Sequence, residues 1–157
     1  MLKSFLSSIW QRLPAKLRRL TVRATNTRFT VTAAGIILNS GGQVLLLKHR
    51  FRPGSGWGIP GGFLELGEQP DEALRRELRE EIDLELNNVR LFTVRTFTRQ
   101  KQIEVVFVAR ASGSTESRSS EIERGEWFSS NSLPAGLPSD QKKLIHSVLA
   151  DGAKGRV

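Results

Sequence analysis

Hydrophobic residues recur along this chain with two different periods. Leu2, Leu6, Ile9, Leu13, Leu17 and Leu20 are spaced by three and four, with Phe5 and Trp10 flanking them, which predicts an amphipathic helical leader that Pro14 divides into two pieces. From Phe29 the pattern changes. Residues 29–38 are rich in β-branched and apolar side chains and predict a strand, Asn39-Ser40-Gly41-Gly42 a turn, and Val44 to Lys48 a second strand that completes a hairpin. Pro53 to Gly56 reads as a loop, and Trp57 to Gly62 as a bend leading into the next helical pattern, Asp71 to Asp83. Pro70 suits the first position of that helix, and Asp71 and Glu72 fall in its first turn, where acids meet the positive end of the dipole. Leu91 to Phe97 and Ile103 to Arg110 predict a second hairpin around the polar turn Thr98 to Lys101. Residues 111–120 form a polar loop, Trp127-Phe128 a short strand, Pro134 to Pro138 a loop, and Asp140 to Ala150 a closing helix. Strands and helices mix without the regular alternation of a doubly wound sheet.

On a wheel of about 100° per residue, Asp71 to Asp83 separates into three faces. Leu74, Leu78 and Ile82 form an apolar one, Arg75, Arg76 and Arg79 a basic one, and Glu77, Glu80 and Glu81 an acidic one. Glu77 is three residues from Glu80 and four from Glu81, so each like-charged pair costs a few tenths of a kcal/mol in an isolated helix. Glu80 and Glu81 also lie in the last turn, where the dipole disfavours anions. One reading is a solvated acidic patch balanced by the arginines. A bound divalent cation explains the placement better, because it turns mutual repulsion into coordination.

Composition narrows the chemistry. The chain has 157 residues, 38% of them hydrophobic, enough for one core, which divides it into a leader (1–27), a domain (28–150) and a loose tail (151–157). It has no Cys and two His, so a thiolate site, a Cys nucleophile and a His-rich zinc site are excluded, leaving carboxylates and a hard cation such as Mg²⁺ or Mn²⁺. The net charge of +8 is uneven: Lys3, Arg12, Lys16, Arg18, Arg19 and Arg23 crowd a leader that has no acid. This concentration argues against a nucleic-acid surface spread along the domain. The leader packs as a helical extension on the domain or on a second subunit of a homodimer, lies weakly on an anionic membrane through residues 1–23, or is disordered. With no run of roughly 18 apolar residues and no signal-peptide pattern, a cytoplasmic location is expected.

The stretch from Gly62 through Glu68 to Arg76-Glu77-Leu78-Arg79-Glu80-Glu81-Ile82-Asp83-Leu84 resembles the Nudix box, Gly-x5-Glu-x7-Arg-Glu-U-x-Glu-Glu-x-Gly-U, where U is a bulky aliphatic. One position departs: Asp83 stands at the family's final Gly, whose left-handed backbone ends the helix. The Trp-Gly-x-Pro-Gly-Gly lead-in and the Trp127-Phe128 strand also look like that superfamily. The resemblance implies an α+β fold, an α/β/α sandwich around a mixed β-sheet, and a pyrophosphohydrolase. It further implies Glu77, Glu80 and Glu81 as metal ligands with Glu68 supporting the site, Arg76 orienting a catalytic carboxylate, and Gly61-Gly62 allowing the loop to turn toward substrate. Many relatives place the catalytic base in a loop before a Trp-bearing strand, which makes Glu121 the first candidate, Glu123 the alternate and Glu104 the weaker third.

For substrate contacts, Lys48, His49, Arg50 and Arg52 follow the second strand, and alternation lets only about half of them face one site. Arg50 and Arg52 are the candidates for phosphate, and His49 reads as an ordinary polar surface residue. Trp57 and Trp127 read as core. The expected substrate is a nucleoside diphosphate linked to another moiety, such as a nucleotide sugar. A nucleoside triphosphate or a non-catalytic nucleotide-binding role are the alternatives.

Overall fold

The computed structural model describes residues 10–11, 13–113 and 115–153. Leu2, Lys3, Phe5, Leu6, Ile9 and Arg12 of the expected leader, and residues 154–157 of the tail, lie outside the described residues. Helix α1 (Ala15–Thr25) is followed by strands β1 (Thr30–Leu38), β2 (Val44–His49), β3 (Trp57–Gly58) and β4 (Gly61–Phe63), then α2 (Pro70–Ile82). β5 (Asn87–Phe97), β6 (Gln102–Arg110), β7 (Ile122–Phe128) and α3 (Ser139–Ala153) complete the order. β1 runs parallel to β6, and every other pairing is antiparallel, so the sheet is mixed as expected.

The central strands read as unbroken apolar runs because both faces of the sheet are covered. Odd-numbered positions Ala33, Ile37, Leu45, Leu47, Phe107 and Ala109 meet Leu74, Leu78 and Ile82 of α2. Even-numbered positions Ala34, Ile36, Leu38, Val44, Leu46, Val106 and Val108 meet Ile145 and Val148 of α3. Each strand therefore feeds two cores by its period of two, which produces the helix–sheet–helix sandwich.

The first two strands make less of a hairpin than their sequence suggests. They share only the register pair Leu38↔Val44 before parting. Beyond that point β1 takes β4 as its partner, at Thr32↔Phe63 and Ala34↔Gly61, while β2 takes β3 and β7. Residues 57–63, expected as a bend, thus supply two short strands to the separating halves. β7 begins earlier than expected because Ile122, Arg124 and Glu126 pair along β2, with Glu123 left out of the register at a bulge beside Lys48 and His49, although the charged residues look like loop.

Helix α2 opens with a capping box. The backbone amide of Gln69 donates to Glu72 Oε2 at 3.2 Å, with Pro70 in the first turn. It ends at Asp83, whose φ of 55° is the left-handed conformation that the motif normally gives to Gly. The Asp83 amide donates to the Arg79 carbonyl at 3.0 Å and the Leu84 amide to that of Leu78 at 3.2 Å, so termination survives the substitution. The Asp83 carboxylate also pairs with Arg118 at 2.6 Å, an exposed contact. Asp83→Gly should relieve the backbone cost and lose only this exposed pair, giving a net gain of about 0.5 kcal/mol. Asp83→Ala should lose about 1 kcal/mol, because it keeps a side chain in the left-handed region without the carboxylate. Urea unfolding midpoints at constant m-value would read both.

Candidate active site

The site is assembled where β4, the loop after it and α2 come together. Gly61 has φ 152°, and a Cβ there would stand 2.2 Å from the Ala33 carbonyl oxygen, so only glycine lets β4 lie so close to β1. A Cβ on Gly62 would stand 2.1 Å from Glu77 Oε1, so that carboxylate occupies the space the glycine leaves free. The diglycine, expected as a substrate loop, thus seats β4 on β1 and gives Glu77 its place.

Arg76 ties these parts together. Its Nε and Nη2 donate to the two oxygens of Glu68 at 2.9 and 3.0 Å, Nη2 also reaches the Phe63 carbonyl at 3.0 Å, and Nη1 donates to Glu77 at 3.0 Å and Glu80 at 3.4 Å. The hydrogen bonds from Arg76, and then that from the Glu65 amide, hold the Glu68 carboxyl below its usual value. Both Glu68 oxygens are therefore occupied by protein donors. The basic face expected from the wheel does not exist as a face: Arg75 donates to the Leu86 carbonyl at 2.6 Å and Arg79 to Glu85 at 2.7 Å, so the three arginines reach three different places.

The three acids share a side of α2 but not a direction. Glu80 is exposed, Glu77 is half-buried beneath Gly62, and Glu81 is buried with its Oε2 lacking any hydrogen-bond partner. Among the described residues, no three acidic or histidine side chains already converge as a metal cage. The Arg76 bonds draw Glu77 and Glu80 toward Glu68, which accounts for the spread. Burial first, then the charges of Glu77 and Glu121, push the Glu81 carboxyl up to about 8. Burial likewise raises Glu77, with Arg76 opposing it. A buried carboxylate oxygen without a donor, surrounded by like charge, suits a divalent cation.

Glu121 is close enough to raise Glu81, and the backbone explains why. The Arg118 amide donates to the Glu81 carbonyl at 2.8 Å, and the Arg50 amide to the Glu121 carbonyl at 2.8 Å, so the loop before β7 is held against the end of α2. The other base candidates are engaged elsewhere. Glu123 pairs with Lys48 at 2.9 Å and Glu104 with Arg95 at 2.5 Å.

A cavity of about 190 Å³ lies beside β4, lined by Thr32, Arg52, Gly61, Gly62, Phe63, Gln102, Glu104 and Gln141 among others. Arg52 enters it from the loop after β2. A Cβ on Gly58 would meet its Nη1 at 1.6 Å, so that glycine provides the room. Arg52 Nη1 is buried and has no acceptor, and burial lowers the guanidinium's pKa despite the nearby charges of Glu81 and Glu104. Arg50 is exposed instead, and its charge acts on Glu123. His49 is not the surface residue expected: it is half-buried with Nε2 unpartnered, and burial together with Arg52 lowers it to about 4. Trp57 is core, edge-on to Phe128 at 5.1 Å, and Trp127 packs against the core on the α2 side.

Sequence reasoning missed Gln102, Gln141 and Arg95. Gln102 Nε2 donates to Thr32 Oγ1 at 2.8 Å, and Gln141 Oε1 accepts from the Ile59 amide at 3.0 Å. Arg95 bridges Glu104 and Asp140. Only the alternation of β5 and β6 could have pointed to Arg95, Gln102 and Glu104 as sharing a face, and nothing local marks Gln141.

The sequence matches the family model for the NUDIX domain over residues 28–148. The chain belongs to the NUDIX family. It is 35% identical over 121 residues to an 8-oxo-dGTP diphosphatase of Haemophilus influenzae, covering 74% of this chain and 89% of that protein. It is 32% identical to an ADP-ribose pyrophosphatase of Methanocaldococcus jannaschii, covering 69% and 67% of the two chains. Among solved structures, a MutT NUDIX hydrolase from Burkholderia pseudomallei superposes with a TM-score of 0.65 at 27% identity, over 78% of this chain and 99% of that one. The chain spans less than half the length of the NAD-capped RNA hydrolases it also matches.

Two outcomes follow from this NUDIX site. Gly62→Ala must displace the Glu77 carboxylate, so the divalent-cation concentration that raises the thermal midpoint should increase about 10- to 100-fold while the unliganded fold persists. Glu81 gives a pH signature. In the metal-free chain, between its ordinary value of 4.5 and about 8, the folded state keeps a proton that the unfolded state has lost, so stability falls as pH rises through that window. Glu81→Gln should abolish that part of the fall, leaving the metal-free variant more stable than the parent at pH 8.

Proposed function

We propose that the chain is a divalent-metal-dependent pyrophosphohydrolase whose preferred substrate is a nucleoside diphosphate linked to a second group, such as a nucleotide sugar. The observation that carries this reading is a pair of orphaned groups. Arg52 Nη1 is a buried donor without an acceptor and Glu81 Oε2 a buried acceptor without a donor, each within reach of the other's charge. A diphosphate satisfies the first and a cation the second, and substrate with cation brings both.

Glu77, Glu80 and Glu81 would hold the cation, Mg²⁺ or, as second choice, Mn²⁺. Glu68, with both oxygens engaged, positions Arg76 instead of ligating. When bound, the cation supplies charge neutralisation of the diphosphate and a lowered pKa for water. Arg52 orients the phosphate from the cavity side, and Arg50 meets the outer part of the substrate. Glu121, whose charge acts on Glu81, would accept the proton of the attacking water. Thr32, Gln102, Glu104 and Gln141 offer hydrogen bonds that suit a hydroxylated group such as a ribose or sugar. The ADP-ribose relative is consistent with that preference.

A second reading, hydrolysis of a nucleoside triphosphate, is favoured by the 8-oxo-dGTP relative, 89% of whose length is matched. A panel of nucleotide sugars, ADP-ribose and nucleoside triphosphates with a coupled phosphate readout separates them. Turnover of the sugar conjugates with Mg²⁺ and none with a chelator is expected. Turnover confined to triphosphates would establish the second reading, and inactivity throughout would leave a nucleotide-binding module. On the preferred substrate, Glu80→Gln and Glu121→Gln should each lower kcat by at least about 10²-fold. Unchanged turnover in Glu121→Gln would remove it as the base.

A further inference from the structure

Helix α1 is open to solvent among the described residues: Leu17 is 48% and Leu20 64% exposed, and of its described side chains only Arg18 is partly buried. Among the described residues, this segment therefore buries no apolar face on the domain. Around the helix axis, Leu17, Leu20 and Ala24 form an apolar stripe, flanked by Lys16 and, further round, Arg19 on one side, and by Thr21 and Thr25 and then Arg18 on the other. Trp10 does not cover it. That ring borders a groove with Ala15, Arg18, Arg19 and Val22, around the side of the helix away from Leu20. The helix has no acid in its first turn, and the chain has none before Glu65.

We propose that α1 is a membrane-surface helix that lays its leucine stripe into the headgroup boundary of an anionic phospholipid bilayer. Charge complementarity selects this occupant. A second copy of the helix would bring Lys16 and Arg19 against their own kind with no leader acid to pair them. A nucleic acid would engage the basic residues but leave Leu17 and Leu20 in water. Anionic lipid satisfies both sides at once, the headgroups meeting the cations and the acyl boundary taking the leucines. No described helix is long and apolar enough to cross a membrane, so the contact is in the plane of the surface. Residues 26–29 join α1 to β1, a reach of at most about 14 Å, so docking holds the hydrolase domain against the bilayer.

The test is co-sedimentation of the full chain with vesicles of phosphatidylcholine alone and with roughly 30% phosphatidylglycerol. Binding to the anionic vesicles only, weakened at high salt, is expected. Leu17→Asp/Leu20→Asp and Lys16→Glu/Arg19→Glu should each reduce it at least about tenfold, with the thermal midpoint unchanged because the helix is exposed. Absence of binding to anionic vesicles overturns the proposal, as does binding that survives the double Asp variant. So do two other findings: a dimer by analytical ultracentrifugation that the Asp variant dissolves while vesicles bind neither form, or an RNA gel shift lost only in the charge-reversed variant without vesicle binding.

Discussion

The guanidinium of Arg76 locks together segments that strand pairing and the core bring side by side. It grips both oxygens of Glu68 from the loop, the Phe63 carbonyl at the end of β4, and two carboxylates of its own helix. With these bonds, the loop, the short strand and α2 become one rigid unit, and the acid–base states of the site follow from it. Glu68 is held ionised, Glu77 is placed under the diglycine, and Glu81, which the guanidinium does not reach, is left buried and repelled by its neighbours. A lysine could not replace it, since a single ammonium cannot form the planar fork that spans three carboxylates and a carbonyl.

Much of this was legible because the chemistry is local. The acids of α2 stand where helix electrostatics disfavours them, and the box around them is continuous in sequence, so Glu77, Glu80, Glu81, Arg76 and Glu68 could be grouped as candidates without a structure. The strands of the centre were equally plain, since Ile36-Ile37-Leu38 and Val44 to Leu47 feed two cores and tolerate no polar side chain. What lay hidden depends on distance along the chain. Gln102 and Gln141 meet only after β6 and α3 have folded against β4, and the separation of β1 from β2 depends on which strands insert beside them. Polar Glu123, Arg124 and Glu126 disguised β7 as loop, because a strand with one wet face at the sheet margin carries charge where a central strand carries leucine.

Family membership and local geometry answer different questions here. The match over residues 28–148 accounts for the domain, its box and its sandwich. The segment ahead of residue 28 falls outside that match, and its charge, together with the exposure of its described residues, sets it apart from the rest. Asp83 shows how a departure inside the box can be absorbed. The left-handed turn is kept, and the carboxylate gains a tie to Arg118, in the loop that also carries Glu121.

The unsatisfied pair Arg52 and Glu81 has a bearing on how this protein would respond to selection. Each is a buried polar group left unpaired in the free chain, so each is a place where an apolar or neutral replacement would make the empty protein more stable. A screen for thermostability carried out without ligand would be drawn to these two positions early. It would recover variants that fold better because the proposed binding site had been erased from them.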